Sequence, residues 1–163
     1  MTCRPKSLNI AIIAMAIRLA AIIALSISLA FPAAEAMALC VSSSYANLRS
    51  GPATSHEKTW EVLKYTPLEL LSRKGSWMRV KDLEGDVHWV YSPLVTSKYK
   101  CAMIKDEKAN IRKGPGTNYP EVKESPGKQY YSYKVVSIKD DWVRVTDEFG
   151  TDGWIYKPLL WIQ

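Results

Sequence analysis

Ala46-Asn47-Leu48-Arg49-Ser50-Gly51-Pro52 is written again, almost letter for letter, as Ala109-Asn110-Ile111-Arg112-Lys113-Gly114-Pro115. A repeat of this kind is read before any local pattern, because it defines the unit of folding. Two further blocks follow each copy in the same order. Trp77-Met78-Arg79-Val80 matches Trp142-Val143-Arg144-Val145, and Trp89-Val90-Tyr91-Ser92-Pro93-Leu94 matches Trp154-Ile155-Tyr156-Lys157-Pro158-Leu159. The offset is 63 residues at the heptapeptide and 65 at both tryptophan blocks. The chain is a tandem duplication.

Each copy reads as short strands. Residues 61–65 and 68–72 flank Thr66-Pro67. Residues 77–81 alternate, with Trp77, Arg79 and Lys81 on one face and Met78 and Val80 on the other. Asp82-Leu83-Glu84-Gly85-Asp86 has the composition of a turn, and 87–91 form the next strand, with His88 and Val90 sharing a face. The second copy repeats the plan at 133–138, 142–146 and 154–156. Beyond residue 40 no stretch carries a helical period. About five short strands in ~60 residues, with turns every ten or so, predict an all-β chain of two small barrels. In the heptapeptide, Leu48 and Ile111 are expected to point inward from an edge strand and Asn47 and Arg49 outward. Gly51 and Gly114 would end the strand by adopting positive φ ahead of a proline, and the asparagine would bond neighbouring backbone.

The three blocks resemble the bacterial SH3-like (SH3b) domain, whose pattern runs Asn-[Val/Leu/Ile]-Arg-x-Gly-Pro, then Trp-x-x-Val, then Gly-Trp-Val and a closing Leu. The resemblance covers nearly the whole chain beyond residue 40, twice. It implies two partly open, five- to seven-stranded SH3-like β-barrels, usually exported and often found as wall-targeting modules beside a hydrolase. Asn47, Arg49, Gly51, Pro52, Asn110, Arg112, Gly114 and Pro115 are its signature positions. Two departures stand out. His88 sits where the pattern has Gly, and the second copy carries Gly127 and the cluster Tyr130, Tyr131 and Tyr133 in place of a plainer turn.

Residues 1–38 read as a signal peptide. Arg4 and Lys6 form a basic start, 19–31 an apolar run, and Ala34-Glu35-Ala36 or Ala36-Met37-Ala38 a cleavage pattern, so processing is expected after Ala36 or Ala38. An uncleaved anchor is the alternative, but Arg18 interrupts the ~20-residue apolar span that one needs. A lipoprotein is disfavoured by the bulky Leu39 before Cys40. The expected division is therefore leader 1–38, first barrel 39–97 and second barrel 98–163. Of 22 basic and 16 acidic residues the leader takes Arg4, Lys6, Arg18 and Glu35, leaving 19 and 15 and a net charge of +4. Those charges are mixed in sign along the chain, which argues against a nucleic-acid partner. Cys40 and Cys101 are the two cysteines outside the leader, and export predicts that they form a disulfide joining the first strands of the two copies, with two buried free thiols as the alternative.

Six Trp and nine Tyr are many for this length. Trp77, Trp142, Trp89 and Trp154 recur at fixed places and read as core or rim. A flat ring with a polar tip suits sugar and peptide recognition, and the nominated ligand contacts are Trp60, Trp89, Tyr91, Tyr119, Tyr130, Tyr131, Trp154 and Tyr156. His56 and His88 are the two histidines, and neither lies in a metal-binding spacing. Paired acids such as Asp147-Glu148 fall in turns and read as solvated. No nucleophile elbow or phosphate cradle is present, so no enzyme, cofactor or metal is expected. The expected protein is a monomeric, exported, non-catalytic module in the periplasm or cell envelope. It would recognise peptidoglycan or a wall peptide. The alternatives are an envelope scaffold or assembly protein that binds another protein, and a divergent wall hydrolase working through His88 or His56.

Overall fold

The computed structural model describes residues 37–123 and 127–163. The leader expected at 1–38 lies outside the described residues, apart from Met37 and Ala38, which open the first strand.

The first seven strands form one antiparallel sheet. They are β1 (Met37–Val41), β2 (Tyr45–Arg49), β3 (Lys58–Leu63), β4 (Pro67–Lys74), β5 (Trp77–Lys81), β6 (Val87–Tyr91) and β7 (Val95–Thr96), with a 3₁₀ turn at Ser92–Leu94 between the last two. Their order is β3-β2-β6-β5-β4-β1-β7. The second sheet has β8 (Cys101–Ile104), β9 (Ser132–Lys139), β10 (Trp142–Thr146), β11 (Asp152–Tyr156) and, after a 3₁₀ turn at Lys157–Leu159, β12 (Leu160–Ile162). Its order is β11-β10-β9-β8-β12. The described residues are all-β, in two SH3-like barrels.

Alternation decides what each strand buries. Met78 and Val80 of β5 and His88 and Val90 of β6 turn inward, as do Val143, Val145 and Ile155 in the second copy. Each barrel closes on its own core. Leu39, Leu48, Leu68, Val80 and Val90 belong to the first, and Ile104, Ile111, Tyr133, Val143 and Ile155 to the second. The cores trade size at matched positions. Leu39 pairs with Leu68 between β1 and β4, whereas Ala102 pairs with Tyr133 between β8 and β9. A small residue facing a large one holds packed volume constant, which cores tolerate well.

Irregularities are duplicated too. A register shift interrupts β4 between Leu70 and Ser72, and another interrupts the β9–β10 pairing next to Arg144 and Val145, leaving Leu71 and Val136 unpaired and exposed. Such bulges bend a strand and sharpen its twist, which a small barrel needs to close. Tyr65 and Tyr130 both hold positive φ, 66° and 64°, in the turns that enter β4 and β9.

The heptapeptide works differently from the expectation. β2 is interior, lying between β3 and β6, and its second-copy counterpart, 108–112, makes isolated bridges from Lys108 to Lys128 and from Arg112 to Glu121 and Trp154. Gly51 and Gly114 do not adopt positive φ. They are small because a Cβ there would run into the ring of His56 in the first copy and of Tyr119 in the second. Nor does the asparagine oxygen close the turn, since Asn47 Oδ1 is buried with no partner among the described residues. The arginine closes it. Arg49 Nη1 donates to the carbonyl of His56 at 2.7 Å, and Arg112 Nη1 donates to that of Tyr119 at 2.8 Å. Each loop is thus tied to the residue whose ring covers its glycine.

His88 occupies the position of Gly153. A Cβ on Gly153 would strike Cγ2 of Ile111, while the counterpart of Ile111, Leu48, has no branch at Cβ and leaves room for the imidazole. Gly153→Ala is expected to destabilise the second barrel by about 1–3 kcal/mol through overpacking, read as a lower urea midpoint at unchanged slope.

Cys40 and Cys101 form the expected disulfide, with Cα atoms 5.8 Å apart and both residues fully buried. It joins β1 to β8. The bridge closes a loop with a sequence separation of 61. Replacing both cysteines by alanine is expected to lower the unfolding free energy by about 4 kcal/mol on the chain-entropy account, measured by denaturant titration under oxidising conditions.

Candidate functional site

The bridged barrels leave a cleft of about 410 Å³ between them. One wall is β3, the edge strand of the first sheet, with Trp60, Val62 and Leu63 lining the cavity. The opposite wall is Met103, Tyr130, Tyr131 and Trp161 from the second barrel. Trp60 is 61% exposed and Tyr130 52%, high values for large rings that a core would normally absorb. An edge strand also presents backbone groups with no strand partner on its outer side.

The cleft is narrowed by direct contacts between the barrels. Tyr130 Oη donates to Glu84 Oε1 at 2.8 Å, and the hydroxyls of Thr66 and Ser132 lie 3.4 Å apart. Tyr65 and Tyr130 share one backbone conformation but reach different partners. Tyr65 packs edge-on against Tyr99 of the connector at 6.0 Å, while Tyr130 crosses to the first barrel.

Acidic side chains ring the opening. Glu61, Asp82, Glu84 and Asp86 contribute from the first barrel and Glu148 from the second, against Lys64. Three of the five are already engaged. Glu61 pairs with Lys58 at 3.2 Å, Asp82 with His88 at 3.2 Å, and Glu84 accepts from Tyr130. Asp86 and Glu148 make no side-chain hydrogen bond or ion pair among the described residues. The phenols report the resulting field. The hydrogen bond to Glu84 is the main reason that Tyr130 holds its proton above the ordinary value, with Asp82 adding to it. Tyr131 is raised first by burial and then by Asp147 and Glu148.

Three of the eight nominated aromatics therefore meet in one place: Trp60, Tyr130 and Tyr131. The other five lie on outer faces. Tyr91 rests against Trp77 with ring centroids 5.6 Å apart, and Tyr156 against Trp142 at 5.7 Å. These matched cross-strand pairs make Trp77 and Trp142, expected in the core or rim, half-buried parts of a surface patch. Tyr156 and Trp142 border an open groove with Asn110, Arg112 and Asn118. Trp89 and Trp154 are half-buried and stand in register between arginines, Arg49 and Arg79 in one barrel and Arg112 and Arg144 in the other. Tyr119 covers Gly114. Sequence reasoning missed Trp161, Met103 and the acidic rim. The acids were visible as Asp82–Asp86 and Asp147-Glu148, but their turn composition concealed that two turns from different copies face one cavity.

His88 is buried, at 5% exposure. Its Nδ1 lies 2.9 Å from Thr59 Oγ1 and its Nε2 3.2 Å from Asp82 Oδ2. Asp82, Asp86 and His88 bring one ligand atom each within 4.8 Å of one another. Both imidazole nitrogens already face protein partners, so Thr59, His88 and Asp82 tie the 82–86 turn to β3. His56 is exposed and lies on Gly51. Among the described residues no helix is long and apolar enough to cross a membrane.

The family model "Bacterial SH3 domain" matches residues 42–96 and again 105–161. The chain belongs to the bacterial SH3 domain family. A curated relative, "Putative N-acetylmuramoyl-L-alanine amidase YrvJ" of Bacillus subtilis (strain 168), is 28% identical over 119 residues, 67% of this chain and 22% of that protein. The chain thus spans about a fifth of that relative's length. Among solved structures, NlpC2 from Trichomonas vaginalis aligns over 77% of this chain and 48% of its own, at 11% identity and TM-score 0.34. An NlpC/P60 family protein from Bacillus cereus ATCC 10987 aligns over 77% and 56%, at 12% identity and TM-score 0.36.

Ionisation of Tyr130 offers a direct test of the contact between barrels. Its folded value lies above the ordinary 10.0, so the bond to Glu84 stabilises the fold at every pH below that and is lost as pH rises through the raised value. In an alkaline titration followed at the phenolate absorbance band, Tyr130→Phe should remove one phenol from the late-titrating fraction.

Proposed function

We propose that this protein is a non-catalytic, exported wall-binding module that takes the peptide part of peptidoglycan into the cleft between its barrels. The observation that carries this reading is the cleft itself, where Trp60 on an edge strand faces Tyr130 and Tyr131 across an apolar cavity. An extended peptide gains main-chain hydrogen bonds from an exposed edge and side-chain specificity from pockets beside it. The relative from Bacillus subtilis supports the choice of polymer, since its name assigns it a bond in peptidoglycan. His88 has both nitrogens occupied within the protein, which favours binding over hydrolysis.

The same reading places the protein in the periplasm or cell envelope as a monomer, with its leader removed. A buried disulfide suits an oxidising compartment. Cleavage after Ala36 is preferred to cleavage after Ala38, because Met37 and Ala38 pair with Leu70 and Glu69 in β1 and the later cut would discard both pairs.

Purified sacculi test the assignment. The protein comprising residues 37–163 should sediment with them, and Trp60→Ala together with Tyr131→Ala should reduce retention by about tenfold or more, as expected when interfacial aromatic anchors are truncated. Retention equal to that of an unrelated exported barrel would refute wall binding. Capture of one envelope protein with no sacculus retention would favour the scaffold. Release of soluble fragments from the sacculi would mark a hydrolase.

A further inference from the structure

The geometry points to a specific ligand chemistry for the cleft: a primary ammonium on an otherwise weakly charged stem peptide, held between Asp86 of the first barrel and Glu148 of the second. This inference rests on the wall-binding reading above and adds the group that is recognised.

The argument begins with a charge imbalance. The chain as a whole is basic, with a formal net charge of +6. Its apolar cleft is nevertheless rimmed by five carboxylates and one lysine. Charge is thus segregated against the overall balance at the one place where aromatic side chains of both barrels converge. Asp86 and Glu148 are the rim acids that remain unengaged by other side chains among the described residues, and each belongs to a different barrel. A cation in the cleft meets a free carboxylate from each barrel. Asp147 Oδ2, next to Glu148 in sequence, is buried without a partner among the described residues, and its charge adds to the raised value of Tyr131. Tyr130 is raised first by its hydrogen bond to Glu84 and Tyr131 first by burial, with the nearby carboxylates adding to both.

The walls narrow the choice further. Exposed Trp60 and Tyr130 offer π faces, which attract an ammonium as well as apolar stems. A free metal cation would gain little from those walls, whereas a lysine-type side chain uses both parts, its methylenes against the rings and its nitrogen at the rim. Carboxylates close to that nitrogen would be repelled by the same rim. The site therefore favours a stem peptide with a free distal amine and amidated neighbouring acids.

The probe is N-acetyl-L-Ala-D-isoglutaminyl-L-Lys-D-Ala amide, which carries a single free amine, compared with its Nε-acetyl derivative. Binding to the wild-type protein is followed by the Trp and Tyr NMR signals. Acetylation should weaken binding about tenfold or more, the usual worth of a hydrogen bond to a charged group. Asp86→Asn with Glu148→Gln should erase that difference while leaving the melting transition unchanged. Equal affinity for the two peptides overturns the ammonium assignment and leaves the peptide-binding cleft standing. If neither peptide binds while sacculi still retain the protein through Trp60 and Tyr131, the ammonium assignment falls and wall binding survives. If both retention and peptide binding fail, both readings fall together.

Discussion

A single covalent bond between β1 and β8 sets the geometry on which the site depends. Each barrel has its own core, and the two cores are separate clusters. Between the barrels run a tyrosine–glutamate hydrogen bond and a long hydroxyl contact. Each such bond contributes about 0.5–1.5 kcal/mol net. The Cys40–Cys101 bridge is of a different order, and it is buried at the point where the first strands of the two copies meet. The bridge keeps the first strands of the two copies together at the base of the cleft. The weaker contacts at the rim then trim a spacing that is already narrow.

Duplication explains why the walls differ although the barrels match. The frame was copied with its irregularities: a bulge in the fourth strand, a left-handed tyrosine before it, and an arginine that ties a loop to a carbonyl seven residues on. Divergence then acted on groups the frame holds in place. Tyr65 and Tyr130 share a strained backbone, a conformation that persists only where the surroundings over-determine it. One ring now seals the connector and the other spans the cleft. His88 and Gly153 show the same logic in the core, where a change from β-branched Ile111 to Leu48 decides whether an imidazole fits.

How much of this was legible in sequence follows from the range of the interactions involved. Strand alternation is local, so 77–81 and 87–91 and their faces could be read directly from residue order. The disulfide was legible because compartment and cysteine number leave few pairings. The heptapeptide was recognisable as a signature but its mechanics were not, since the ring that excludes a Cβ at Gly51 or Gly114 lies five residues away in a loop whose path no pattern encodes. The cleft was the least visible feature. Glu84 and Tyr130 are 46 residues apart, in different copies, and Glu84 looked like an ordinary turn residue. Trp60, Tyr130 and Tyr131 could be nominated as aromatics outside the shared core, yet nothing in the string placed them opposite one another. Tyr119 met the same criterion and went elsewhere, onto Gly114.

The placement of charge bears on why recognition should occur inside the cleft rather than at the outer Trp–Tyr pairs. A carboxylate on an open face is screened within about 8 Å at physiological ionic strength. The same carboxylate at the mouth of an apolar cavity acts through low-dielectric walls that focus its field inward. The outer pairs, Trp77 with Tyr91 and Trp142 with Tyr156, offer ring surface without such focusing. They are also identical in the two copies, as expected of features that the barrel itself requires. The cleft is what the tandem arrangement adds. Neither copy alone could supply an edge strand on one side and the inserted tyrosines on the other, and so the smallest unit able to select a ligand there is the bridged pair.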